Sequence, residues 1–333
     1  MDEIINKLYQ QESLTKSESH QLFDTIIKGE LDPILLAAVL TALKIKGETP
    51  EEIAGAASAL TENANPFPSP DYDFADIVGT GGDGANTINI STTAAFVAAA
   101  CGAKVSKHGN RGVSSKSGSS DLLAAFGIDL TMSPETARAA LDDLGVCFLF
   151  APQYHSGVRH AMPVRQTMKT RTIFNVLGPL INPSKPPREL MGVYDESLVA
   201  PIAETMRSLG MDHAFVVHGS GLDEVAIHGE TTVAEIKNGE IEHYTLTPED
   251  FGVEAYPLEA IKGGTPEENR EVTSLILQGK ATDAQQSAVA INVALFLRLF
   301  GHQDLKANTQ KALDVMKSGK PYQLVQQLAA RSE

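Results

Sequence analysis

Two cysteines are all the chain carries, Cys101 and Cys147, each inside an apolar run where it reads as a buried thiol. That scarcity excludes a disulfide framework and offers no zinc-ligand spacing. No apolar run approaches the about 18 continuous residues that a spanning helix needs, and the opening MDEIINKLYQ has neither a basic n-region nor an apolar h-region. A cytoplasmic protein with no membrane partner is expected. No G-K-[ST] closes a Walker A loop, no G-x-S-x-G marks a nucleophile, and no two histidines are spaced as metal ligands. His108, His155, His218 and His228 are acid/base candidates by type alone. Internal repeats and low-complexity tails are missing too. Net positive charge is also lacking: 27 basic against 42 acidic residues leave −15 and a pI near 5.0, which argues against a nucleic-acid surface.

Acidic residues are nevertheless absent from two long stretches, Gly84 to Ser120 and Leu144 to Arg188. The charges there are all basic: Lys104, Lys107, Arg111, Lys116, Arg159, Arg165, Lys169, Arg171, Lys185 and Arg188. A locally positive site inside an acidic protein focuses an anion. Burial explains the stretch Ala94 to Cys101, but the Gly/Ser loops and Pro186 to Arg188 are expected to be exposed.

What the chain does have is concentrated between Ala75 and Asp121, where two loops rich in glycine and hydroxyls each follow a short apolar run and precede a helix-like run. Glycine-rich turns let backbone N–H groups approach phosphate oxygens, and a helix starting there adds its positive end. Ile77-Val78 reads as a strand, Gly79 to Gly84 as the turn, and Ser91 or Thr92 as the N-cap of a helix to Ala100, their hydroxyls open to a phosphate. The second loop repeats the plan, with Lys104-Val105-Ser106 as the strand end before KHGNRG. Gly79, Gly81 and Gly84 also satisfy G-x-G-x-x-G, but a dinucleotide site needs an acidic residue about twenty positions on, and none occurs before Asp121. A turn with merely structural glycines fits poorly with four glycines in the six positions of GTGGDG and a second loop of the same kind.

At 333 residues the chain has room for two packed units. The first sixty-five read as helices: a capping box at Thr15 and Glu18, a start at Asp32-Pro33 and another at Thr49-Pro50, with stops at Gly29 and Gly47. NANPFPSP, Asn63 to Pro70, reads as a linker. Beyond it strands and helices alternate, as in a mostly parallel sheet covered by helices. These include a helix from Ser133-Pro134 to Leu144, a strand Val146 to Phe150, a helix-like run Met162 to Leu177, a hairpin at Asn238-Gly239 and a buried helix Asp283 to Phe300. Arg165 follows the Tyr154-His155 turn closely, near a strand end of the kind where open sheets bind ligands. Asp223-Glu224 sits in a turn after the strand Phe215 to Val217, and two adjacent carboxylates there can serve a metal beside a polyphosphate.

GTGGD at Gly79 to Asp83, NIST at Asn89 to Thr92, KHGNR at Lys107 to Arg111 and SSKSGSSD at Ser114 to Asp121 resemble the anthranilate phosphoribosyltransferase family of the tryptophan pathway. RTIFNVLGPLINP, Arg171 to Pro183, and GLDE, Gly221 to Glu224, extend the resemblance over nearly the whole chain in the family's order. Pyrimidine nucleoside phosphorylases share a KHGNR-like segment without GTGGD; they would use phosphate and a nucleoside and need no Mg2+. A nucleic-acid-binding relative would require a basic surface.

The resemblance implies a small N-terminal helical domain, residues 1–68, joined in space by helices from about 160–182. It also implies a large α/β domain, residues 71–333, with a mostly parallel central sheet. Phosphoribosyl pyrophosphate is then cradled by Gly79, Gly82, Asp83, Thr87, Asn89, Ile90, Ser91, Thr92, Lys107, His108, Gly109, Asn110, Arg111, Gly112, Val113, Ser114, Ser115 and Ser119. Anthranilate is held by Gly79, Asn110 and Arg165, and Mg2+, as two ions, by Ser91, Asp223 and Glu224. A homodimer through the N-terminal helices is implied. Gly112 departs from the family, which often has Ala there. Beyond substrate positioning and metal groups no catalytic residue is expected, and His108 reads as a pocket wall.

Overall fold

The computed structural model describes residues 1–112 and 117–331, so Val113, Ser114 and Ser115 of the expected donor loop, with Lys116, lie outside the described residues. Four helices open the chain, α1 (Asp2–Tyr9), α2 (Lys16–Ile27), α3 (Pro33–Lys46) and α4 (Pro50–Glu62). Their starts follow from capping chemistry. Thr15 with Glu18 and Thr49 with Glu52 form reciprocal boxes, and the Asp32 carboxylate accepts from Ile34 N ahead of Pro33. Glu52 is fully buried because it also accepts from Leu14 N at 2.9 Å and pairs with Lys46 at 2.8 Å.

After the linker come β1 (Ala75–Gly79), α5 (Ile90–Ala100), β2 (Val105–Gly109), α6 (Ser119–Ala125), α7 (Pro134–Leu144) and β3 (Val146–Phe150). The short helices α8 (Ala151–Tyr154), α9 (Met162–Met168) and α10 (Phe174–Leu177) lead to β4 (Arg188–Gly192), α11 (Val199–Ser208), β5 (His213–Gly219), β6 (Thr231–Lys237) and β7 (Glu240–Leu246). Helices α12 (Pro266–Ile276), α13 (Asp283–Arg298), α14 (Leu305–Lys317) and α15 (Lys320–Ala329) complete the fold. The sheet order is β3-β2-β1-β4-β5-β6-β7, parallel through β5 and antiparallel at β6 and β7. An α/β fold with a mostly parallel sheet beside a helical unit is therefore what the chain forms.

Strand alternation sends side chains to two cores. Ile77, Val105, Leu190 and Phe215 face α5, α7 and α12 to α15. Met191, Ala214, Val216 and Ile236 face α11 and the N-terminal helices, where Ala161, Val164, Ile173 and Phe174 are also packed.

Several expectations need correction. Helix α5 is capped from Asn89, so Ser91 and Thr92 lie inside its first turn. Strand β2 runs on through Lys107-His108-Gly109, because every residue from Val105 to Gly109 pairs with β3. The run Met162 to Leu177 is not one helix: Lys169 turns left-handed at φ +49° to end α9, and Asn175 accepts from Thr172 N at 2.8 Å to start α10. Cys147 is buried as expected, but Cys101, at the end of α5, is half-buried. Pro186 is buried and Arg188 partly so, not exposed.

Candidate functional site at the carboxyl edge of the sheet

The strand order turns at β1: β2 and β3 lie on one side of it, β4 and β5 on the other. Loops leaving the carboxyl ends of strands on either side of such a point diverge and leave a crevice. GTGGDG leaves β1, the KHGNR segment ends β2, and Asp223-Glu224 follows β5, so three motifs distant in sequence meet at one edge. Gly81, Gly82 and Gly84 take φ of +66°, +78° and +76°, a path barred to most side chains, which leaves their amides free of Cβ shielding.

The carboxylate turn is pressed onto the sheet. A Cβ on Gly79 would fall on Asp223 Oδ2, and one on Gly192 would fall on the main-chain oxygen of Asp223. Gly81 N donates to Asp223 Oδ2 at 2.6 Å, and Ser91 N, in the first turn of α5, donates to Glu224 Oε1 at 3.2 Å. From behind, the buried Asn292 of α13 accepts from Val225 N and donates to Val225 O. Gly192→Ala is expected to lower the melting temperature by several degrees through this turn, at a cost of about 2 kcal/mol. A melting temperature equal to wild type would show that the turn yields freely.

Burial pushes the Asp223 carboxyl up to about 7, with nearby Asp83 adding to the rise. Glu224 is raised well above the ordinary carboxylate range, by burial first and Asp223 second. Both residues keep some accessible surface, so the cost is that of a cleft floor, not a sealed interior. Two crowded carboxylates beside a hydroxyl and an anion-binding loop form a donor set that a cation would relieve. Among the described residues no three His, Cys, Asp or Glu side chains converge as a closed metal cage.

Beneath the crevice the sheet is split. β1 and β2 pair only at Ala75↔Val105, whereas β1 pairs with β4 over all five residues. Side chains take over the stranded backbone groups. Lys107 Nζ donates to Ile77 O at 2.5 Å, the Asp76 carboxylate accepts from His108 N at 3.3 Å, and Asn182 Nδ2 donates to Asp76 Oδ2 and Ser106 O, each at 2.8 Å. Burial lowers the Lys107 pKa, and Asp76, Glu224, Asp223 and Glu189 oppose that fall. Lys107 also reaches Ser91 Oγ at 3.4 Å, placing its ammonium under the Asp223-Glu224 turn.

The second loop is stapled by a residue whose role the sequence pattern did not reveal. Asp121 Oδ2 accepts from Gly112 N and Gly118 N, each at 2.9 Å, and its other oxygen pairs with Arg111 at 3.4 Å. Asn110 O accepts from Ser119 Oγ and Ser120 N. Asn89 donates to Ser117 O and accepts from Asn269 of α12, joining the two loops. Thr87 bridges to Lys262. Ile90 and Thr92 are 1% and 2% exposed, so Ser91 is the open hydroxyl of this segment.

Those contacts revise the expected charge map. Lys104 caps the end of α7 through Leu141 O and Asp142 O, and Arg188 pairs with Asp73 and Asp212, all at the amino edge of the sheet. Lys107 sits among carboxylates and Arg111 is paired. Arg165 stands apart: its guanidinium lies 5.0 Å from the Phe174 ring centroid, burial lowers its pKa, and among the described residues it has no ion-pair partner. Arg171 reaches from the α9–α10 connection to Gly82 O. All four histidines named as acid/base candidates bond main-chain carbonyls: His108 to Gly178, His155 to Ile181, His218 to Val193 and His228 to Ser220. Burial drives His108 down to about 3, keeping it neutral, as suits a wall.

Comparison with known proteins agrees with this geometry. Residues 71–322 match the family model described as "Glycosyl transferase family, a/b domain", and residues 2–64 match "Glycosyl transferase family, helical bundle domain". The class is thus a two-part glycosyltransferase. The anthranilate phosphoribosyltransferase of Photobacterium profundum is 79% identical over 329 residues, 99% of this chain and 97% of that protein. The crystal structure of the enzyme of that name from Thermus thermophilus superposes with a TM-score of 0.94 at 41% identity, covering 99% of both chains. The one from Saccharomyces cerevisiae in complex with PRPP and Mg superposes at 0.90 and 30% identity, covering 99% of this chain and 97% of that one. The chain belongs to the anthranilate phosphoribosyltransferase family.

Proposed function

We propose that the cleft transfers the 5-phosphoribosyl group of phosphoribosyl pyrophosphate to the amine of anthranilate, releasing pyrophosphate, in the second step of tryptophan biosynthesis from chorismate. The observation that carries this is the convergence of both glycine loops and the Asp223-Glu224 turn on one sheet edge. The C1–O bond to pyrophosphate breaks with its electron pair leaving on oxygen, the C1–N bond forms, and the amine then sheds a proton. An aromatic amine is neutral at pH 7, so no strong base is required. The main tasks are neutralising the leaving group and aligning the substrates.

Gly79, Gly82, Asp83, Thr87 and Asn89 to Thr92 take the donor from one side, and Lys107 to Gly112 with Ser119 from the other. Ile90 and Thr92 contribute main chain. Ser91, Asp223 and Glu224 hold Mg2+, as two ions, which supplies charge neutralisation for the pyrophosphate. Gly79, Asn110 and Arg165 hold anthranilate. Loss of anthranilate fluorescence on adding phosphoribosyl pyrophosphate and Mg2+, abolished by EDTA, tests the reading. No loss with folded protein would overturn it.

The division into residues 1–68 and 71–333 is supported by the two family models, which match 2–64 and 71–322, and the placing of helices from about 160–182 beside the first unit by the core that Val164 and Phe174 share with Ile26 and Leu43. A homodimer is supported by apolar side chains exposed on α1 and α3: Tyr9, Ile34 and Ile45 are 52%, 80% and 72% exposed. Ile34→Glu with Ile45→Glu is expected to yield monomers in sedimentation, whereas a wild-type protein that is monomeric at micromolar concentration would refute the interface. No helix among the described residues is long and apolar enough to cross a membrane. A cytoplasmic site of action suits substrates of this kind.

A further inference from the structure

Arg171 belongs to none of the donor, acceptor or metal sets above, yet it crosses the cleft. It lies in the connection between α9 and α10, on the helical side, and its Nη2 donates to Gly82 O in the loop after β1. The guanidinium is stacked on Tyr194, 4.0 Å from the ring centroid, just past the end of β4. Tyr194 is itself tied to the same loop, since its N donates to Thr80 Oγ1 at 3.0 Å while Thr80 N donates to Gly192 O at 3.0 Å. On the other side, Lys44 Nζ of α3 holds Arg171 O at 2.9 Å. The side chain is exposed and among the described residues forms no ion pair, so its orientation comes from the ring, the carbonyl and the lysine tether.

The loop it grips needs such a grip. Residues Gly81 to Gly84 include three left-handed glycines, the conformations with the most entropy to lose on ordering. Their hydrogen bonds are Gly81 N to Asp223, Thr80 Oγ1 to Gly81 O, Ala85 N to Asp83, Asn86 Nδ2 to Gly84 O and the Arg171 bond to Gly82 O, of which those to Asp223 and Arg171 tie the loop to distant parts of the fold. A planar guanidinium can stack and donate at once, which a lysine cannot do equally well.

We propose that Arg171 is a positioning residue that, stacked on Tyr194, latches the Gly79–Gly84 loop in its anion-binding shape and links that loop to α3. The kinetic part rests on the donor-site reading above; the latch itself does not. Two measurements on the full chain separate them. In amide hydrogen exchange of the ligand-free protein, Arg171→Ala is expected to speed exchange across Thr80 to Ala85 about tenfold, with the core strands unchanged. In steady-state kinetics it is expected to raise KM for phosphoribosyl pyrophosphate about tenfold and to leave KM for anthranilate within about twofold. Arg171→Lys should recover part of both effects, and Tyr194→Leu should shift exchange in the same direction. Unchanged exchange at Thr80 to Ala85 overturns the latch whatever the activity. Faster exchange with both KM values moving equally overturns its role in donor binding. Inactive wild-type protein would strike only the donor-site reading, because the exchange result stands alone.

Discussion

Asp223→Asn combined with Glu224→Gln is expected to remove Mg2+-dependent transfer by about a thousandfold or more, and to make the metal-free protein more stable than wild type above pH 7. The first effect follows from the proposed Mg2+ site, which would lose both of its charged groups, so that several kcal/mol of charge stabilisation on the leaving pyrophosphate is at stake. The second follows from crowding: burial first, then Asp83 for Asp223 and Asp223 for Glu224, hold both carboxyls protonated to higher pH than in the unfolded chain, Asp223 to about 7. Between the ordinary Asp value of 3.8 and about 7 the native state then binds more protons than the unfolded one, so wild-type stability falls as pH rises through that window. Neutral amides remove that slope, and Mg2+ should remove it in wild type. Melting temperatures in EDTA at pH 5.5 and pH 8, with and without the substitutions, decide the matter. A double variant less stable than wild type at pH 8 in EDTA would mean that the carboxylates already have sufficient partners without metal.

Arg165→Ala is expected to raise KM for anthranilate by about 30- to 100-fold while leaving that for phosphoribosyl pyrophosphate nearly unchanged. This corresponds to the roughly 2–3 kcal/mol of a charge-assisted, two-point bond to a carboxylate. The structural reason is an uncompensated charge. Dehydrating a guanidinium without a counter-ion is unfavourable, yet burial lowers the Arg165 pKa, its neighbours are the Phe174 ring and the Met162 sulfur, and it has no ion pair among the described residues. A packing role would be kept largely intact by Arg165→Met, which should lose anthranilate affinity as fully as alanine does. Equal changes in both KM values would refute the assignment.

Arg165 and Arg171 show how far residue patterns reach. Both lie in the same acid-free stretch, but the break at Lys169 gives them different neighbours: Arg165 lies over Phe174, whereas Arg171 stacks on Tyr194 and reaches Gly82 O. Nothing local announces that break, because the residues from Met162 to Leu177 carry helical periodicity throughout. Asp121 lies in the first turn of α6, and its function as a staple across Gly112 and Gly118 depends on the loop folding back. The positive-site expectation was only partly right for the same reason: absence of carboxylates along the chain does not keep Asp76, Glu189, Asp223 and Glu224 from arriving in space.

By itself the sequence determined the features governed by a few neighbouring residues: the capping boxes at Thr15 and Thr49, the glycine loops, the Asn238-Gly239 hairpin and the adjacent carboxylates at Asp223 and Glu224. Hydrogen bonds and backbone preferences within about four residues suffice for these. Only the tertiary structure decided the split between β1 and β2, the seating of Lys107 beneath the Asp223-Glu224 turn, the solitary charge of Arg165 and the reach of Arg171 to Gly82. Each of these depends on which strands end side by side and which buried charges are left to satisfy one another, a balance of long-range packing against desolvation that no local pattern records.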